Sequence, residues 1–166
     1  MKIVITGHTG FVGRRLIELF PNDEVIGLSR STGYDLTNNY DECLEIMKSA
    51  DIVFNNAYVG SIQAKIIGDL KDSGVTLITI GSIAGYYNLN PYQFNKKIIH
   101  NIFNEHKKFY VGRCLLLIPG FLEPSDRCIE LGYTSINVDE VINGVKYFLE
   151  NRRVTKIELD NANVIS

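Results

Sequence analysis

Apolar positions along the chain follow two periods in turn. Short β-branched and aliphatic runs read as strands: KIVIT at 2–6, EVIGLS at 24–29, DIVFNN at 51–56, VTLITIGS at 75–82, FYVGRCLLLIPG at 109–120 and VTKIELD at 154–160. Between them the spacing becomes helical. An amphipathic stretch at 11–20 is broken by Pro21-Asn22-Asp23, and 40–49 carries Cys43, Leu44 and Met47 on one face. Further helices are expected at 61–74, closed by Gly74, and from 91 to about 107. The last, 138–151, has Asp139 and Glu140 in its first turn, where acids suit the helix dipole. The turn-rich RSTGYDLTNN segment is expected to hold one very short strand at 34–36.

Strands separated by helices imply right-handed βαβ crossovers and a parallel sheet. The strands are apolar almost throughout, as strands buried on both faces must be. The expected fold class is therefore α/β: a doubly wound parallel sheet in three layers, α/β/α. No repeat, low-complexity tract or linker interrupts it. With 166 residues, one domain over 1–166 is expected.

Composition removes several function classes. Hydrophobic residues make up 45% and charged residues 22%, the balance of an ordinary globular protein. Net charge is −2 and pI about 5.9, so neither nucleic acid nor an anionic membrane surface is an expected electrostatic partner. No apolar run approaches the roughly 20 residues that span a bilayer. The N-terminal apolar run is too short for a secretory signal, which points to the cytoplasm. Cys43, Cys114 and Cys128 are odd in number and lack C-x-x-C spacing, so free thiols are expected. His8, His100 and His106 lack metal-ligand spacing, and no metal is expected.

Candidate chemistry begins at ITGHTGFVG. Gly7, Gly10 and Gly13 have G-x-x-G-x-x-G spacing directly after the first strand and open a helix. Glycines let the backbone turn tightly and approach a pyrophosphate, and the helix start offers free N–H donors to it. A plain βα turn would also use glycine, but the strand–turn–helix context favours dinucleotide binding. No Gly-Lys-Ser/Thr follows, which argues against a nucleoside-triphosphate loop. After the second strand stand Ser29 and Arg30, not an acid. A guanidinium and a hydroxyl there suit the 2′-phosphate of NADP, with NAD as the alternative.

In YQFNK, Tyr92 and Lys96 stand at i and i+4 and share a helix face. A free phenol titrates near pH ~10, and an adjacent ammonium favours its phenolate. Such a tyrosine could exchange a proton with an alcohol or carbonyl oxygen. Ser82, at the end of the 75–82 strand, could bind the same oxygen. Taken alone, the Tyr–Lys spacing more often marks a partly exposed helix face.

These motifs, in this order, resemble the short-chain dehydrogenase/reductase family. TGHTGFVG is similar to its cofactor turn, in the spacing of the extended and atypical branches. DLT at 35–37 resembles the acidic adenine segment, NNAY at 55–58 the N-N-A-G motif, and GSIAG at 81–85 the serine segment. YQFNK resembles Y-x-x-x-K, and IPG at 118–120 the Pro-Gly turn beside the nicotinamide. The resemblance implies a Rossmann-type fold and a dehydrogenase/reductase with NADP or NAD. It implies Tyr92 as acid/base, Lys96 lowering its pKa and binding the ribose, and Ser82 polarising the substrate oxygen. Gly7, Thr9, Gly10, Phe11, Val12 and Gly13 would hold the pyrophosphate. Asp35 and Leu36 would flank the adenine, Asn56 and Ala57 would pass the ribose, and Pro119 would line the nicotinamide. A homodimer or homotetramer is implied through the long helix, with His100 and Asn101 facing the partner.

The departures are specific. The helix between the second strand and the 34–36 strand is missing. The family's catalytic asparagine has no counterpart between Asn56 and Asn88, and Gln63, the nearest amide, receives no role. Tyr58 replaces a glycine, and only 121–137 remain for a substrate region. His8 is expected to point to solvent, and the lysine pairs at 96–97 and 107–108, apart from Lys96, to be solvated charges. Tyr86 and Tyr87 suit either the substrate mouth or ordinary loop packing. The expected function is a carbonyl–alcohol oxidoreductase on a small molecule, or an epimerase or dehydratase of the same type. The rival is a dinucleotide-binding sensor or partner-binding module with little turnover.

Overall fold

The computed structural model describes residues 1–87, 89–122 and 134–161. In chain order these form β1 (Lys2–Thr6), α1 (Phe11–Glu18), β2 (Glu24–Leu28), α2 (Tyr40–Lys48), β3 (Ile52–Asn55) and α3 (Ile62–Asp69). There follow β4 (Thr76–Ile80), α4 (Pro91–Tyr110), β5 (Cys114–Pro119), α5 (Val138–Glu150) and β6 (Lys156–Leu159). Short 3-10 turns occupy Arg30–Thr32 and Ile83–Tyr86.

The six strands form one sheet in the order β2-β1-β3-β4-β5-β6, and each pairing is parallel. Side chains alternate across it with period two. Ile3, Ile5, Ile52, Phe54, Ile78, Ile80, Leu115 and Leu117 join a core under α1 and α5. Val4, Val53, Leu77, Leu116 and Ile118 join a second core under α2, α3 and α4. Both faces are therefore covered, which explains why these strands carry no polar alternation. This is a doubly wound, Rossmann-type arrangement.

The chain moves outward from β1 to β2, then crosses back to β3 on the other side of β1. That reversal opens a crevice at the carboxyl ends of β1 and β3, the usual ligand position in such sheets. α4, which carries the tyrosine and lysine, begins with a defined cap. Asn90 Oδ1 accepts from Gln93 N at 3.0 Å, and Leu89 N donates to Gln93 Oε1 at 2.7 Å. Pro91 fills the first turn, where its missing N–H costs nothing.

Several expectations need correction. Residues 34–36 form no strand. Asp35 instead closes its own turn, its carboxylate accepting from Thr37 N at 2.8 Å and Asn38 Nδ2 at 2.9 Å. β2 is consequently an edge strand. The run from 109 is not strand at its start, because α4 continues to Tyr110 and the turn follows at Val111 and Gly112, both with positive φ. Phe103 and Tyr110 extend the apolar stripe of α4, and that stripe outweighs the β-rich composition. α3 ends at Asp69, five residues before the expected Gly74, with turns between. Cys43 and Cys114 are buried free thiols, whereas Cys128 lies outside the described residues. So does most of the expected substrate region, 123–133. No described helix is long and apolar enough to cross a membrane.

Candidate active site

The glycine turn is built by contacts that exclude side chains. Gly7 has φ +66°, and a Cβ there would press on Ala57. Gly7 N donates to Leu28 O at 2.9 Å and Gly10 N to Gly7 O at 3.0 Å, folding the turn over the end of β2. A Cβ on Gly13 would overlap Gly7 O and His8, so α1 can sit this close only with glycine there. Gly10 caps α1 without a side-chain hydrogen bond, which leaves the first N–H groups of the helix for a ligand. The turn is thus shaped for a pyrophosphate, and an NAD-type dinucleotide fits the residues present.

Thr6 holds this turn to β3. Its hydroxyl donates to Phe54 O at 3.2 Å and accepts from Asn56 N at 2.9 Å and Ala57 N at 3.0 Å. Asn56 Nδ2 reaches Thr6 O at 3.2 Å and Gly7 O at 3.3 Å. Asn56 therefore braces the glycine turn with its side chain. Thr6 opens the TGHTGFVG motif, but no role of its own was expected of it.

Two adjoining clefts result. One, about 680 Å³, is lined by Gly7, Thr9, Gly10, Ser29, Arg30, Asp35, Leu36, Asn56 and Ala57 of the expected cofactor residues. The other, about 1110 Å³, brings together Ser82, Tyr92, Lys96 and Pro119. Asn56 and Tyr58 line both clefts. Phe11, Val12 and Gly13 line neither. They form the first turn of α1, with Val12 and Gly13 buried and Phe11 exposed.

Arg30 is exposed at the rim, beside a hydroxyl cluster in which Ser29 Oγ and Ser31 Oγ are 2.7 Å apart. Asp35 is held below the usual carboxylate range, chiefly by the Thr37 amide.

Tyr92 is 40% exposed on the cleft wall. Its ring meets that of Tyr58 edge-on, with centroids 4.8 Å apart. Asn95 Nδ2 donates to the Tyr58 hydroxyl at 3.2 Å. Lys96 is 4% exposed, and its Nζ lies 5.5 Å from the Tyr58 centroid and 5.7 Å from that of Tyr92. Burial lowers its pKa to about 8. Nζ donates to Gln63 Oε1 at 2.8 Å and to Ile80 O at 3.4 Å. Ser82 Oγ accepts from Ala84 N at 3.2 Å and keeps its own proton to donate.

The histidines differ from expectation. His8 does not point to solvent: its ring packs over Gly27, where a Cβ would overlap it, and Nδ1 is buried without a partner. His100 cannot face a second chain, being buried at 7% exposure against Gly81 and Gly85. Its pKa falls to about 4, first through burial, then through the charges of Lys156 and Lys96. Tyr87 lines the larger cleft, while Tyr86 meets the His100 ring edge-on and bonds Glu158 and Lys156 of β6. Among the described residues, no cluster of His, Cys, Asp and Glu is placed to hold a metal ion.

Gln63 was also missed, although a signal was present. Gln63, Ile66, Ile67 and Leu70 stand at i, i+3, i+4 and i+7, so the amide lies on the core stripe. A polar group there needs a partner, and Lys96 is one.

Comparison with known proteins agrees with this fold. Residues 3–79 match the model of the NAD dependent epimerase/dehydratase family. A search of curated protein sequences finds no match. Among solved structures, a short chain dehydrogenase from Burkholderia cenocepacia, in complex with NADP, has a TM-score of 0.75 at 15% identity, over 96% of this chain and 87% of the other. A dTDP-4-dehydrorhamnose reductase from Clostridium acetobutylicum has a TM-score of 0.72 at 15% identity, over 98% and 76%. A 4-hydroxyisoleucine dehydrogenase complexed with NADH has 0.71 at 17% identity, over 98% of both chains. At these identities the likeness concerns the fold. The chain thus has the fold of the short-chain dehydrogenases/reductases, and within it residues 3–79 match the NAD dependent epimerase/dehydratase family.

Proposed function

We propose that the protein is an NADP-dependent oxidoreductase that interconverts a carbonyl and an alcohol on a small molecule. The observation that carries this reading is one cleft lined by Ser82, Tyr92 and Lys96 and joined to the glycine-turn cleft through Asn56 and Tyr58. Gly7, Gly10 and the start of α1 would hold the pyrophosphate. Arg30, with Ser29, would take the 2′-phosphate, and Lys96 the nicotinamide ribose. The bound dinucleotide supplies or accepts hydride. Ser82 donates a hydrogen bond to the substrate oxygen, and Tyr92 gives or takes the proton at that oxygen. The nearby Lys96 ammonium stabilises the negative charge that Tyr92 acquires when it gives up its proton.

The likeness to reductases, together with the epimerase/dehydratase family match, leaves epimerisation or dehydration as a variant with the same residues. A dinucleotide-binding module without turnover is the second reading. It is favoured by the Tyr58 ring, which leans against Tyr92 within the cleft.

A screen of aldehydes, ketones and nucleotide sugars, with NADPH oxidation followed by absorbance, separates the two. The oxidoreductase reading expects a substrate on which Tyr92→Phe loses at least about 100-fold in kcat. Cofactor binding with no turnover on any substrate, and no effect of Tyr92→Phe, favours the binding module.

A further inference from the structure

Gln63 and Lys96 meet from two helices under the cleft floor. Gln63 is fully buried in the first turn of α3. Its Nε2 donates to Asn55 O at 2.8 Å and Ile80 O at 3.1 Å. Those two carbonyls end β3 and β4, so they fix which way the amide faces. Only its oxygen is left for Lys96, whose Nζ donates to it at 2.8 Å. Asn55 Nδ2 returns a bond to Gln63 O at 2.8 Å, locking the same turn of helix. A lysine ammonium has three N–H groups, and Gln63 and Ile80 engage two. One remains for a ligand in the cleft.

We propose that Gln63 is the positioning residue of this site: its neutral amide holds the Lys96 ammonium in place without fixing its charge. This rests on the reading of Tyr92 and Lys96 given above. The choice of an amide is specific. A carboxylate at 2.8 Å would hold the lysine permanently charged. An apolar side chain would leave it one long bond, to Ile80 O at 3.4 Å. With the amide, burial alone acts on Lys96 and brings its pKa to about 8, close to neutral pH. The titratable groups around it are Tyr58 from the loop after β3, and Tyr92 and His100 from α4.

The test reads Lys96 directly. The full chain, labelled with 13C,15N-lysine, is titrated by NMR as wild type, Gln63→Glu and Gln63→Met, with NADPH affinity measured across the same pH range. The Lys96 resonance is assigned by its loss in Lys96→Met. In Gln63→Glu the Lys96 midpoint is expected to rise by about one pH unit or more. In Gln63→Met it is expected to fall, and NADPH affinity to drop about tenfold. An unchanged midpoint in folded Gln63→Glu overturns the proposal. If that variant does not fold, an unchanged midpoint and unchanged NADPH affinity in Gln63→Met overturn it. Midpoints that move as expected in a chain that binds no dinucleotide support the role of Gln63 while removing the functional reading.

Discussion

Lys96 is a charged group held where an apolar one would cost less. Its folded pKa, about 8, is below the 10.5 of a free lysine. The unfolded chain therefore binds more protons between those values, and stability rises with pH across that window. Below pH 8 the full cost is present, roughly 3 kcal/mol for a group this buried. Urea unfolding from pH 7 to 10.5 checks this. The wild type is expected to gain stability relative to Lys96→Met as pH rises, and a constant difference would refute it. A buried charge that costs stability in this way marks a candidate functional group. Arg30 is the opposite case, exposed, with its charge acting on Asp35 through solvent, so Arg30→Ala is expected to leave the melting temperature nearly unchanged. It is also expected to weaken NADPH binding by about tenfold while leaving NADH binding intact. Parallel calorimetric titrations with both dinucleotides check that.

At the scale of elements, the site depends on where α1 and α4 begin. Gly13→Ala would drive a Cβ into Gly7 O, a backbone atom that cannot move without opening the turn. A loss of about 1–3 kcal/mol in stability is expected, with weaker dinucleotide binding, read by thermal melts with and without NADPH. Asn90→Ala removes the α4 cap two residues before Tyr92, at a cost of about 1 kcal/mol. Its effect on turnover should exceed its effect on stability, because the frayed turn is the one that aims the tyrosine. The same helix shows what a motif reading can miss and periodicity holds. Lys96, Ile99, His100, Phe103 and Tyr110 form its buried stripe. The Tyr-x-x-x-Lys motif made Lys96 a site residue and the family resemblance made His100 a partner contact, although the spacing puts both on the buried stripe. The end of α4 was hidden by FYV, a β-rich run in which Phe109 and Tyr110 finish the helix and Val111 makes the turn.

For the molecule as a whole, the sheet was legible because six apolar runs alternate with helical spacing and parallel strands need no polar face. The Gly-rich turn, Ser82, Tyr92 and Lys96 could be named as candidates because each carries a chemical reason, and the last three line one cleft. The contacts of Thr6 and Asn55 were not legible, because they form only when the ends of β1 and β3 come together, and for Gln63 the spacing gave its place on the core stripe but not its partner. His100 belongs to this scale too, since it joins α4, the Gly81–Gly85 segment and the charged side chains of β6. It is neutral in the fold and titrates near 4, against 6.5 when free. Its contribution is fully present above pH 6.5 and is lost as pH falls toward 4. Acid unfolding followed by circular dichroism should show that limb flattened in His100→Asn.

The central claim is that the two joined clefts hold a dinucleotide with its reactive end at Tyr92 and Lys96. Calorimetric titration of NADPH into the wild-type chain and into Lys96→Met at pH 7 tests it most directly. The account predicts saturable one-to-one binding to the wild type, weakened about tenfold or more in the folded variant by loss of the ribose contact. Failure of the wild type to bind either NADPH or NADH at millimolar concentration would contradict it.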